Sequence, residues 1–90
     1  DIASAHDVRA QVHCAGGPVS TAAALQLSAA ISNFSIYEHH FRSTQPDIAV
    51  LGKYDYQPVK GKFSAPDLPG LGQELSDYAL KRALSHESVV

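Results

Sequence analysis

Methionine is absent from the 90 residues and the chain opens on Asp1, so the first expectation is that further sequence lies upstream in the complete protein. Cysteine occurs once, at Cys14. A single thiol cannot form an internal disulfide, which fits a reducing compartment, and a cytoplasmic location is expected. No apolar run approaches the ~18–20 residues that cross a bilayer, and the N-terminus lacks the basic-then-apolar layout of a signal peptide, so no membrane partner is expected. A basic excess is missing too. The formal net charge is -2, which lacks the electrostatic footprint of a nucleic-acid binder. Hydrophobic residues make up 44% of the chain and charged ones 18%, a balance that favours a folded domain over a disordered one. A chain of this length buries one modest core, removing roughly 60–65% of its unfolded surface from water.

What is present reads in order as strand, turn, helix, strand. Asp1–Asp7 is short, polar and alanine-containing, the tail of a helix. Arg9–Cys14 alternates, with Ala10 and Val12 on one face and Gln11 and His13 on the other, the period of a strand. Ala15-Gly16-Gly17-Pro18 breaks it. Val19–Ile31 is rich in alanine and leucine and sets Ala23, Leu27 and Ile31 on one stripe, which predicts a helix capped by Ser20 or Thr21. Phe34–Tyr37 predicts a second strand with Glu38, His39 and His40 at its tip. A strand that returns after a helical crossover pairs in parallel with the first, and a parallel pair is normally covered on both faces. The fold class is therefore α/β, and the unit belongs to a larger sheet.

The remainder is less regular. Phe41–Gln57 reads as an irregular segment, Pro58–Pro66 as a small hairpin around Lys60-Gly61-Lys62, and Pro69-Gly70-Leu71-Gly72 as a turn cluster. Glu74–His86 predicts a surface helix with Leu75, Ala79 and Ala83 on a stripe and an acid-first pair from Asp77 to Lys81.

Both strands end in titratable groups. In a parallel barrel the C-terminal tips of the strands line the active site, and neighbouring strands run about 4.8 Å apart, so His13 and Glu38 can touch. A carboxylate beside an imidazole favours the imidazolium, which can donate a proton near neutral pH. Adjacent histidines on a strand point to opposite faces, so His39 and His40 cannot both enter one pocket. Gly16-Gly17 can cradle an anion at the start of the next helix. Cys14 reads as a small packed residue.

The run His13-Cys14-Ala15-Gly16-Gly17-Pro18, then the alanine-rich helix, then Asn33-Phe34 and Ile36-Tyr37-Glu38, resembles the seventh strand, seventh helix and eighth strand of sugar-acid dehydratases in the mandelate racemase branch of the enolase superfamily. Lys62-Phe63, Pro66 and Pro69-Gly70-Leu71-Gly72-x-Glu74 resemble that family's C-terminal tail. The resemblance implies the C-terminal fragment of a (β/α)7β TIM-like barrel, with residues 1–40 as its last βαβ unit and 41–90 as a tail returning toward the capping domain. It implies abstraction of the proton α to a carboxylate, an enediolate intermediate, and β-elimination of water from a small sugar acid. His13 matches the general acid, Glu38 the carboxylate near the substrate carboxylate, and Gly17, His39 and His40 stand as substrate-binding candidates. Mg²⁺ is implied as cofactor, on residues outside this chain, so these 90 residues alone are expected to be inactive. A homo-oligomer is expected at full length. Ser32, Ser28 and Tyr37 depart from the family pattern, where Pro, Asp and Gln are common, and leave the substrate open. A cycloisomerase of the same superfamily, acting on a lactone or anhydro-sugar acid, is the alternative enzyme; a free-standing non-catalytic fragment or binding module is the alternative of another class.

Overall fold

The computed structural model describes residues 1–85, 87 and 89. Helix α1 (Ile2–Ala5) leads to strand β1 (Ala10–Cys14), helix α2 (Pro18–Ala30) and strand β2 (Phe34–His39). A 3₁₀ turn (Phe41–Thr44), helix α3 (Pro46–Ala49) and helix α4 (Asp77–Arg82) follow. Asp7, at φ 56, turns the chain out of α1; Asp is one of the few side chains that tolerates this left-handed conformation.

β1 and β2 form a two-stranded parallel sheet with α2 as the crossover. The register is not uniform. Ala10 lies opposite Phe34, but the next pair is Gln11 with Ile36, so Ser35 is an extra residue in β2. From there Val12 faces Tyr37, His13 faces Glu38 and Cys14 faces His39. The bulge is decisive, because side chains alternate along a strand and a one-residue slip turns every later side chain to the other face. Without it His13 would lie opposite Tyr37.

α2 begins one residue earlier than the expected Val19, with Pro18 in its first turn and Gly17 at the N-cap. Proline suits this place because its fixed φ is helical and its missing N–H has no partner to lose. No side chain caps the helix, which corrects the expectation for Ser20 or Thr21: Thr21 lies inside the first turn and is buried. The inward face is also rotated from the expected stripe. Ala22 and Leu25 are the buried hydrophobic residues, while Leu27 is 52% exposed. Small Ala22 lets the helix lie close on the face made by Val12, Cys14, Tyr37 and His39; the other face of the sheet, with Gln11, His13, Ile36 and Glu38, stays open.

The segment expected to be irregular, 41–57, carries the 3₁₀ turn and α3. It then lies against residues 72–76: Lys53 N donates to Glu74 O at 2.9 Å, Ser76 N to Leu51 O at 2.9 Å, and the Gln73 amide exchanges bonds with Tyr54 O at 2.7 Å and Tyr54 N at 3.0 Å. The expected hairpin is a single bridge, Val59 to Lys62, turned by Lys60 and Gly61 at φ 50 and 75. Gly70 and Gly72, both at positive φ, make the turn cluster. α4 is shorter than expected: Ser76 caps it through Ala79 N at 3.2 Å, Leu75 pairs with Gly52 outside it, Ala83 ends it, and His86 lies outside the described residues. Arg82 stacks on Tyr78 at 3.7 Å; among the described residues no ion pair joins Asp77 to Lys81. No described helix is long and apolar enough to cross a membrane.

Candidate active site

The parallel pairing sets the last residues of both strands at one end of the sheet, and the bulge at Ser35 turns Glu38 to the face that carries His13. The two side chains meet there. His13 Nδ1 lies 3.4 Å from Glu38 Oε1, with the side chains 52% and 55% exposed. That distance is longer than a charge-assisted hydrogen bond of about 2.7–2.9 Å, and it leaves the ring's Nε2 as the nitrogen turned away from the carboxylate. Glu38 is held by a third residue. Gln11 Nε2 donates to Glu38 Oε2 at 2.7 Å, so one carboxylate oxygen is fixed by Gln11 and the other faces His13. Gln11 was not among the expected site residues; the signal for it is its place two residues before His13, on the same strand face.

The other candidates divide. Gly17 is the N-cap of α2, in extended backbone, and a Cβ there would meet nothing within 4 Å. Its neighbour is the constrained position: a Cβ on Gly16 would come 2.6 Å from Ser20 Cβ, which the helix cannot relieve cheaply. His40 follows β2 at the same end of the sheet; its N–H continues the ladder to Cys14 O at 3.3 Å and its Nδ1 accepts from Arg42 N at 3.1 Å.

His39 is not brought to the His13–Glu38 pair. It points to the opposite, helix-covered face, where its ring packs edge-on against Phe63 at 5.0 Å and beside Tyr37 at 5.6 Å. Tyr37 Oη and His39 Nδ1 are 3.1 Å apart. Burial pushes the His39 imidazole below its ordinary 6.5, and burial likewise pushes the Tyr37 hydroxyl up to about 12. Cys14 shares this face and is half-buried, in keeping with a packed thiol.

Among the described residues no group of three His, Cys, Asp or Glu side chains could hold a metal ion. What the open face offers is an imidazole and a carboxylate braced by an amide, groups that can move a proton, with the glycine turn following β1 at the same end of the sheet.

A family model described as "Enolase C-terminal domain-like" matches residues 1–79. The chain is 36% identical over 87 residues to a D-galactonate dehydratase of Xanthomonas oryzae pv. oryzae, a match covering 91% of this chain and 23% of that protein. It is similar to a solved member of the enolase superfamily from Salmonella Typhimurium, with 41% identity and a TM-score of 0.86 over 91% of this chain and 21% of that one. A second Salmonella structure, provisionally titled a dehydratase, gives 49% identity and a TM-score of 0.88 over 96% of this chain and 21% of that one. The chain therefore spans about a quarter of the length of the curated relatives it matches.

Proposed function

The chain belongs to the enolase C-terminal domain-like family, and from that membership we propose that it forms the C-terminal wall of the active site of a dehydratase acting on a small sugar acid. The observation that carries this reading is the contact of His13 with Glu38 on the open face of a parallel pair, at the strand ends where a barrel of this class does its chemistry.

In the proposed reaction a base outside this chain removes the proton α to the substrate carboxylate. The C–O bond at the β carbon breaks, its electron pair leaves with the oxygen, and that oxygen takes the proton from His13 Nε2 to depart as water. The resulting enol becomes a 2-keto-3-deoxy acid. Glu38 holds the ring from its Nδ1 side, and Gln11 holds Glu38, so the donor nitrogen is presented rather than left to rotate. Gly17, beside open space, and His40, at the same end of the sheet, stand where they can approach the substrate. The described residues do not fit a divalent-cation site; the Mg²⁺ implied for such enzymes would be held by carboxylates elsewhere in the full-length protein. The barrel, a homo-oligomeric state and the inactivity of these 90 residues alone belong to the same proposal.

The test is to incubate the full-length protein with a panel of sugar acids and identify the product. A 2-keto-3-deoxy acid is expected. Ring opening or closure without loss of water would make the protein a cycloisomerase, and no turnover on any sugar acid would leave the dehydratase reading without support.

A further inference from the structure

The buried polar residues of the described core are Thr21 and Ser43, and Ser43 stands near one end of a row of polar side chains that starts at Tyr37. Thr21 lies in the first turn of α2, the helix that covers the sheet face carrying Tyr37. Tyr37 stays protonated through the working pH range, so its hydroxyl has a proton to give, and His39 Nδ1, 3.1 Å away, is positioned to accept it. The imidazole then carries its own proton on Nε2. Among the described residues, that nitrogen and Gln57 Oε1 are the buried side-chain polar atoms left without a partner inside hydrogen-bond limits, and the Gln57 side chain is itself a polar neighbour of the ring. Unpaired buried polar groups are expensive, so each is the other's natural partner. Gln57 Nε2 goes on to donate to Ser43 O at 3.3 Å, and Ser43 Oγ donates to Gly16 O at 2.8 Å.

The path ends at Gly16, in the turn that directly follows His13 and Cys14. From this geometry we infer that His39 is a positioning residue: through Tyr37 and Gln57 it locks the 15–18 turn, and thereby the end of β1 on which the His13 ring is held against Glu38. The inference rests on the proposed role of His13 and assigns to His39, on the covered face, a part in the reaction without contact with the substrate. The groups around the ring are Tyr37 and Cys14 from the sheet, His40 next in sequence, and Phe63 and Gln57 from the tail; none of them is an acid that would hold a charged imidazole there.

The experiment uses the full-length protein with His39→Phe, which keeps the aromatic packing and removes the ring's bond to Tyr37 and its polar Nε2, and Gln57→Leu, which breaks the next link without touching the ring. Amide hydrogen exchange of segment 13–18 and steady-state kinetics are measured for both and for the double variant. Each single variant is expected to quicken exchange in that segment and to lower kcat about tenfold with KM nearly unchanged, as slight misplacement of a proton donor does. The double variant is expected to be no worse than either single, since both cut the same path. Unchanged exchange in Gln57→Leu, or additive losses, overturns the inference even if His39→Phe fails to fold. Should the wild-type protein turn over no sugar acid, the functional reading fails, while the exchange measurement still decides whether the path orders the turn.

Discussion

Glu38 has two oxygens and each meets a different group, which makes its contribution separable. Gln11→Leu removes the 2.7 Å bond to Oε2 and leaves His13 in place, so kcat in the full-length enzyme is expected to fall by about 10–100-fold through loss of orientation, and Gln11→Glu, which sets a like charge beside Glu38, should do worse. Steady-state kinetics of the two variants checks the order. His39 gives a prediction in pH. Burial depresses its folded-state value below 6.5, so an unfolded chain takes up the proton first as pH falls. The stability tied to the neutral ring is fully present above about 6.5, declines as pH drops toward the lowered folded value, and levels off beneath it. Melting temperatures between pH 7.5 and 5 should therefore fall more in wild type than in His39→Phe; equal slopes would remove His39 as the cause.

Among the elements, β1, α2 and β2 were legible because period-2 alternation and an alanine-rich run are local signals that tertiary packing reinforced. Their fine placement was not. The expected cap at Ser20 or Thr21 gave way to Pro18 and Gly17 because Thr21 is drawn into the core, and the expected stripe through Leu27 gave way to Ala22 and Leu25 because the helix faces a sheet of only two strands. The short α4 follows from Leu75 being taken up in a bridge to Gly52 before the helix begins. The bulge at Ser35 left no trace in the sequence, since nothing about a serine there marks an extra residue; yet it alone puts Glu38 opposite His13. The meeting of these two residues was anticipated from the strand tips, whereas the path through Tyr37, His39 and Gln57 depends on a tail residue whose position no periodicity encodes. Deleting Ser35 is expected to turn Glu38 to the covered face and abolish turnover of the full-length enzyme. A deletion variant that keeps wild-type kcat would show that the bulge does not set the pair.

The whole molecule is a thin layer. Among the described residues the buried hydrophobic side chains are Ala22 and Leu25, while Ile36 and Phe34 on β2 are 58% and 38% exposed. A two-stranded sheet with one bare face and two free edges is marginal in water and invites pairing with other chains. The isolated 90 residues are accordingly expected to melt without a sharp transition and to self-associate, which sedimentation at several concentrations would detect; a monomer with a cooperative, reversible melt would contradict this. The same bare face carries His13 and Glu38, the proposed reacting groups, so the surface that makes the piece unstable alone is the one that the remainder of the proposed barrel would enclose around the substrate. The imidazole of His13 is the central group of the proposed reaction. In the full-length protein, His13→Asn is predicted to lower kcat for water elimination by about 10²–10⁴-fold with little change in KM; a variant that turns over within twofold of wild type would contradict it.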